Sequence, residues 1–249
     1  MSKYFILILA FFLIAIETNA QESNLTQAEI IGKYIDALGG RQRLQSVHSM
    51  KMTGLHFYRG LEQSLTILSK RPNLFRVEIT NENGKRVSIF DGETAWEMTD
   101  EAAARVIQDP RSKIFMDIND DFESALIGYK AKGHKVEFSG IENIDGKSVY
   151  KLHLKLSNGR LEDWYIDRSS FLLLKRATTY KRRNREFGHD LFFMDYKKVN
   201  GIMIPHYIER VFESHYVRGY EITKVEINPE LKIELFQAQS VSEKSSNYD

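Results

Sequence analysis

Three groups of residues have the types from which a site is built. Asp117, Asn119, Asp121 and Glu123 alternate as the first ligands of a calcium loop do. Such a loop needs Gly at its sixth position and Glu at its twelfth, where Phe122 and Gly128 stand. The four read instead as the solvent face of a helix. His189, His206 and His215 fall where neighbouring strands bring side chains opposite one another, but without metal-ligand spacing, so no metal site is expected. Glu162 and Asp163 are adjacent, and on a strand they point to opposite faces, which denies them an acid/base pairing. Lys181-Arg182-Arg183-Asn184-Arg185 reads as a solvated hairpin tip, with contact to anionic headgroups or a partner as the sharper alternative. There is no Gly-x-Ser-x-Gly elbow, phosphate loop, HExxH or Rossmann glycine pattern. The chain has no cysteine, which removes thiol chemistry, Cys-ligated metals, disulfides and attachment of lipid at cysteine. No catalytic residue, metal or cofactor is assigned, and an enzyme is not expected.

The elements that position side chains are mostly strands. Thr26 and Glu29 form a capping box, flanked by Leu25 and Ile30 as a hydrophobic staple. Ala28, Ile31, Tyr34, Ile35 and Leu38 then recur at helical spacing until Gly39-Gly40, and 41–46 adds a turn. From Val47 the period becomes two, which predicts strands over 47–58, 61–70, 74–80, 85–90 and 94–98, with turn residues between them. Asp109-Pro110 opens a second amphipathic helix over 111–127, with a short helix before it over 101–107. Strands resume over 134–139, 147–157, 160–167, 171–180, 187–199, 202–213 and 216–228, with Asp145-Gly146 and Asn158-Gly159 as hairpin turns. The class is mainly β with helices (α+β), a large antiparallel sheet of about 10–12 strands with amphipathic helices to cover one face.

The ends and the composition set the location. Lys3, the apolar run Tyr4 to Ile16 and the small-residue exit Thr18-Asn19-Ala20 define a secretory signal peptide over 1–20, cleaved near Ala20. The apolar run has 13 residues, short of the roughly 20 that span a bilayer. A single domain over 21–238 and a polar, disordered tail over 239–249 are expected. The 35 basic and 34 acidic residues give a net charge of +1, no reason to expect nucleic acid.

One stretch carries a resemblance. Lys70-Arg71-Pro72 is followed by Leu74-Phe75, a hairpin, and Asp91-Gly92-Glu93-Thr94-Ala95-Trp96. These residues, and the order signal peptide, helix, strands, helical insertion, strands, resemble the periplasmic lipoprotein carrier LolA, LolB and the outer-membrane lipoprotein-sorting family. The motif covers about thirty residues, and the order of elements spans most of the chain. The resemblance implies an incomplete antiparallel barrel whose helices lie over its concave face and enclose an apolar cavity for acyl chains. It further implies that Arg71 clasps a helical lid through hydrogen bonds, and that Phe75 lies in the region governing handover. The chain is longer than a typical carrier, and its second half is richer in strand and charge.

The expected reading is a monomeric periplasmic carrier or chaperone for acylated lipoprotein or another hydrophobic ligand, with envelope membrane proteins as partners. The expected cavity lining is Met50, Met52, Phe75, Val77, Phe115 and Phe122. Methionine suits such a surface because its side chain adapts to irregular contacts. Two other readings stay open: a lipid or peptide sensor of the envelope that transports nothing, and an envelope enzyme acting on glycan or lipid. Polar, titratable side chains inside the cavity would favour the enzyme.

Overall fold

The protein is described by a computed structural model covering residues 25–100, 102–107, 124–182, 185–212 and 216–238, with side chains at 180–187 and 213–217 excepted. Phe115, Phe122 and the acidic group 117–123 lie outside the described residues, as do the signal peptide, the tail and most of the helix expected over 111–127.

Helix α1 spans Gln27–Ala37 and α2 spans Arg41–Gln45. The capping box at the start of α1 is complete. The Glu29 amide donates to the Thr26 hydroxyl, and the Glu29 carboxylate accepts from the Thr26 amide at 2.8 Å. The apolar face of α1 buries Ile30, Ile31, Tyr34 and Ile35.

The strands are β1 (Ser49–Tyr58), β2 (Leu61–Lys70), β3 (Leu74–Asn81), β4 (Gly84–Phe90), β5 (Ala95–Thr99), β6 (Arg105–Val106) and β7 (Lys135–Ile144). They continue as β8 (Lys147–Lys155), β9 (Leu161–Asp167), β10 (Leu173–Arg182), β11 (Arg185–Val199), β12 (Ile202–Phe212) and β13 (Tyr216–Ile227). Among the described residues these 13 strands form one antiparallel sheet, ordered β6-β5-β4-β3-β2-β1-β13-β12-β11-β10-β9-β8-β7. Each strand pairs with its sequence neighbour except at one seam, where β1 meets β13. The free edges are β6 and β7, so the sheet curves without closing.

Two expectations change. Residues 105–106 form a short edge strand where a helical turn was expected, because Trp96 and Glu97 of β5 offer a ladder to Val106 and Arg105. Residues 124–127 form a turn, not the end of a helix; Ser124 has a φ of 66°, and the Leu126 amide donates to its side-chain oxygen.

The strand alternation sorts side chains between two faces. Those at Ile67, Phe75, Val77, Ile79, Leu152, Leu154, Trp164, Ile166, Leu191, Ile204, Ile208 and Ile222 join α1 in one buried cluster on the concave face. On the convex face Leu68, Val87 and Ile89 are covered by Leu231 and Phe236 from the segment after β13. That segment is strapped down by Lys70 Nζ on the Leu231 carbonyl at 2.5 Å and Arg76 on the Leu235 carbonyl at 2.8 Å. Without the strap, an apolar stripe on the outer face of β2 to β5 would lie in water.

Candidate ligand-binding face

The concave face changes character along its strands. At the end that carries the β11–β12 hairpin it is apolar: Ile202 and Ile204 on β12, Ile166 on β9, Met50 and Met52 on β1. Helix α1 is anchored at this end, where the Met203 amide donates to the Leu38 carbonyl at 2.9 Å. Gly39 comes so close to Gly201 that a Cβ there would lie 2.4 Å from its carbonyl oxygen. The ring of Tyr34 meets Trp164 edge-on at 6.0 Å, and its hydroxyl donates to Ser124 Oγ at 3.3 Å. Burial raises the Tyr34 phenol to about 12, against the weaker pull of that bond and of the Arg176 charge. The phenol therefore stays a neutral donor.

Toward the opposite end, which carries the β1–β2, β8–β9, β10–β11 and β12–β13 hairpins, the same face becomes polar. Arg176, Leu191, Arg210 and Arg218 stand opposite one another from β10 to β13, with Tyr58 of β1 next to Arg218. The adjoining rung holds Glu162, Thr178 and His189. Glu162, Arg176, Thr178, His189 and Arg210 are all buried. Glu162 accepts from the Trp164 indole at 2.7 Å and pairs with Arg160 at 2.8 Å. Arg176 stacks on Phe193 and Arg218 on Tyr58, at 6.0 and 4.8 Å from the ring centres. His56 is fully buried beside Tyr220, with Nδ1 2.9 Å from the Gln63 amide oxygen. Burial, with help from the Arg218 and Arg86 charges, lowers the His56 imidazole to about 4, although the Gln63 bond opposes this.

The expected site residues fall as follows. Met52, Phe75 and Val77 are buried in the concave cluster, and Met50 packs against it partly buried. Register aligns them in two rungs, Met52–Ile67–Val77 and Met50–Ser69–Phe75. They are core side chains as the chain stands, and an apolar ligand reaches them only if what covers them moves. Arg71 is partly buried, and its guanidinium donates to the carbonyls of Val47 at 2.5 Å and Leu44 at 3.1 Å. Its partners are thus the carbonyls where α2 ends and β1 begins, acceptors that a helix terminus leaves without intrahelical donors. The Asp-Gly-x-x-x-Trp residues build a turn: Asp91 accepts from the Glu93 and Thr94 amides and from the Trp96 indole at 3.0, 2.7 and 2.9 Å.

Among the remaining candidates, Glu162 faces inward while Asp163 faces outward, 2.7 Å from His153 Nδ1. His189 lies opposite Phe212 on β12, which puts it six residues, roughly 20 Å of strand, from the rung of His206. Among the described residues no group of three His, Cys, Asp or Glu side chains is placed to hold a metal. A depression of about 550 Å³ lined by Gly39, Gly40, Arg41, Gln42, Arg43 and Ser46 lies at the start of α2, apart from the expected lining. The buried arginines and Thr178 were missed, although the signal was present. In Ile202-x-Ile204-x-His206-x-Ile208-x-Arg210 the period of two carries a charge onto the core face.

A curved, unclosed antiparallel sheet with a helix over its concave face is an arrangement shared with solved structures. The same fold is found in three solved structures. A DUF1329 family protein from Desulfovibrio piger superposes with a TM-score of 0.59 at 14% identity, over 84% of this chain and 96% of that one. A LolA superfamily protein from Nitrosomonas europaea gives 0.58 at 15%, over 86% and 98%. A putative outer membrane lipoprotein-sorting protein domain from Vibrio parahaemolyticus gives 0.59 at 10%, over 84% and 94%. No family model matches the sequence, and no curated protein is significantly similar to it. Among the described residues no helix is long and apolar enough to cross a membrane.

Proposed function

We propose that this protein is a periplasmic carrier or chaperone that holds the acyl chains of a lipoprotein, or of another amphiphile, against the concave face of its sheet. It is exported by residues 1–20, acts without a cofactor, and catalyses nothing. The observation that carries this reading is the join between α1 and the sheet. The helix shares an apolar cluster with the concave floor, and among the described residues few polar bonds tether it: Leu38 to Met203, Tyr34 to Ser124, and Gln27 to Tyr129 and to the Phe138 amide. Apolar contact is non-directional, so acyl chains can replace helix against the same floor. Each buried CH₂ contributes about 0.8 kcal/mol, so a long chain gains on the order of 10 kcal/mol before ordering costs. Release then calls for a cover with two states, and Arg71 stands where the segment after α1 enters the sheet.

The test is mass spectrometry of what co-purifies with the protein from its native envelope, followed by transfer of a fluorescent acylated lipoprotein to acceptor membranes. Bound acyl chains with transfer support the carrier. Bound chains without transfer, together with an inner-membrane partner that responds to them, favour a sensor. Absence of any acylated ligand overturns both.

A further inference from the structure

Among the described residues, His56 is the polar side chain most completely withdrawn from solvent, at 0% exposed. It shares the concave side of β1 with Met50 and Met52, four residues, or roughly 13 Å of strand, beyond Met52. Its ring stacks on Tyr58 at 6.1 Å and lies 5.1 Å from the ring of Tyr220. Nδ1 is 2.9 Å from the Gln63 amide oxygen. An amide oxygen only accepts, so Nδ1 carries the ring proton and donates it. The imidazole is neutral at ordinary pH, chiefly through burial and further through the Arg218 and Arg86 charges. Nε2 is therefore a bare lone pair, and it is buried with no hydrogen-bond partner among the described residues. Arg86 stands opposite Ile79 on the same face, and its Nε–H is likewise buried without a partner among them. Buried groups left unmet carry the full cost of desolvation, so a ligand that meets both is favoured there. These two are opposite in kind, which restricts the ligand. An anion would set its own lone pairs against Nε2, and a cation is repelled by Arg86 and Arg218. A hydroxyl donates through its hydrogen and accepts at its oxygen, so one hydroxyl, or two on adjacent carbons, serves both.

We propose that His56 and Arg86 form a site for the uncharged polyol head of an amphiphile whose chain lies on the Met50–Met52 floor, one hydroxyl donating to His56 Nε2 and a hydroxyl oxygen accepting from Arg86 Nε. The inference rests on the carrier reading and adds a ligand class to it. Gln63 fixes the tautomer that leaves Nε2 as the acceptor, and Tyr58 and Tyr220 hold the ring in place; these three are positioning residues. The ring is closed to solvent as the chain stands, so the head enters with the chain when the cover opens.

The test titrates the intact mature protein with monooleoylglycerol, with methyl oleate, which has the same chain and no hydroxyl, both presented from cyclodextrin, and with glycerol alone. Monooleoylglycerol is expected to bind at least tenfold more tightly than methyl oleate. His56→Phe and Arg86→Met should each lower that ratio severalfold, and glycerol should bind far more weakly than its ester. Nitrogen NMR of the histidine rings reads the site in the wild-type protein: monooleoylglycerol should shift the His56 Nε2 resonance, and methyl oleate should leave it in place. Equal binding of the two lipids, a ratio unchanged in both variants, or an Nε2 resonance that monooleoylglycerol does not move overturns the polyol site and leaves the carrier standing. Glycerol binding as tight as that of monooleoylglycerol assigns the site to a free polyol and overturns the head-group reading. Failure of both lipids to bind overturns the carrier and the site together.

Discussion

Arg71→Leu tests whether the joint between helix and sheet is held by one side chain. The guanidinium donates to the Val47 carbonyl at 2.5 Å and the Leu44 carbonyl at 3.1 Å. A hydrogen bond from a charged donor contributes about 1.5–3 kcal/mol, so the pair sets an upper range of about 3–6 kcal/mol. Two features reduce the loss. The Leu44 carbonyl keeps the Val47 amide at 3.4 Å, and Asn228 ties the same connection by accepting from the His48 amide at 2.7 Å and donating to the Ser46 carbonyl at 3.0 Å. Arg71→Leu is therefore expected to lose roughly 2–3 kcal/mol. Arg71→Lys keeps a charge but not the fork, and should lose about half as much. Urea unfolding reads the stability change, and hydrogen exchange at the Ser46–His48 amides reads whether it is local. Stopped-flow release of a fluorescent acyl ligand reads whether the joint gates the face. A loss under about 0.5 kcal/mol, the range of ordinary surface changes, with release unchanged in both variants, would refute the reasoning.

Three further perturbations follow from the geometry. His56 is buried neutral with its pKa lowered to about 4; the unfolded chain binds the proton near pH 6.5, so stability is full above that value and falls as pH drops toward 4. The fall is on the order of 2–3 kcal/mol, and thermal unfolding at pH 7 and 4.5 should show a smaller drop in His56→Phe than in wild type; an equal drop discards the assignment. Gly54 sits at the bulge in the β1–β13 pairing, where a Cβ would lie 1.8 Å from the Glu221 carbonyl oxygen. Gly54→Ala should destabilise by at least about 2 kcal/mol or shift the register, and a wild-type urea midpoint would contradict this. Tyr34→Phe removes the hydroxyl bond to Ser124 and should cost about 1 kcal/mol while loosening α1, measured as faster exchange of its amides; protected, unchanged amides would count against a role in holding the helix.

Much of the sheet is legible in the sequence because each hairpin is a local problem. Period-two runs between turn residues place β1 to β5 and β8 to β13 within a few residues of their observed bounds, whereas β7 continues to Ile144, five residues beyond the expected 139, past the register shift between Phe138 and Gly140. The misses arise where the deciding contact is distant. Residues 105–106 have too few side chains to show a period and become strand because β5 offers an edge. β10 begins at Leu173 and not at 171 because Phe171 adopts a φ of 58° after the Asp167–Ser170 turn. The strap Leu231–Phe236 has no period of its own, since its form is set by the stripe it covers. The acceptors of Arg71 lie 24 and 27 residues away, and no spacing rule specifies them. The polar end of the concave face was readable as charges on the core parity of β10, β12 and β13, but reading it required treating strand parity as stronger evidence than side-chain type.

The single non-neighbour pairing also shapes how the chain assembles. Both meanders, β1 to β6 and β7 to β13, can form by zipping each strand onto the one before it. The seam instead joins residues roughly 170 positions apart, such as Met50 and Ile227. Closing a loop of that length costs about 2.5 kcal/mol more than closing one of ten residues, and the cost falls before any seam contact repays it. The two meanders therefore form first and the seam last, so the slow step of folding belongs to β1 and β13. Substitutions there, Gly54 above all, should retard folding, whereas equally damaging ones in β7 or β8 should mainly hasten unfolding.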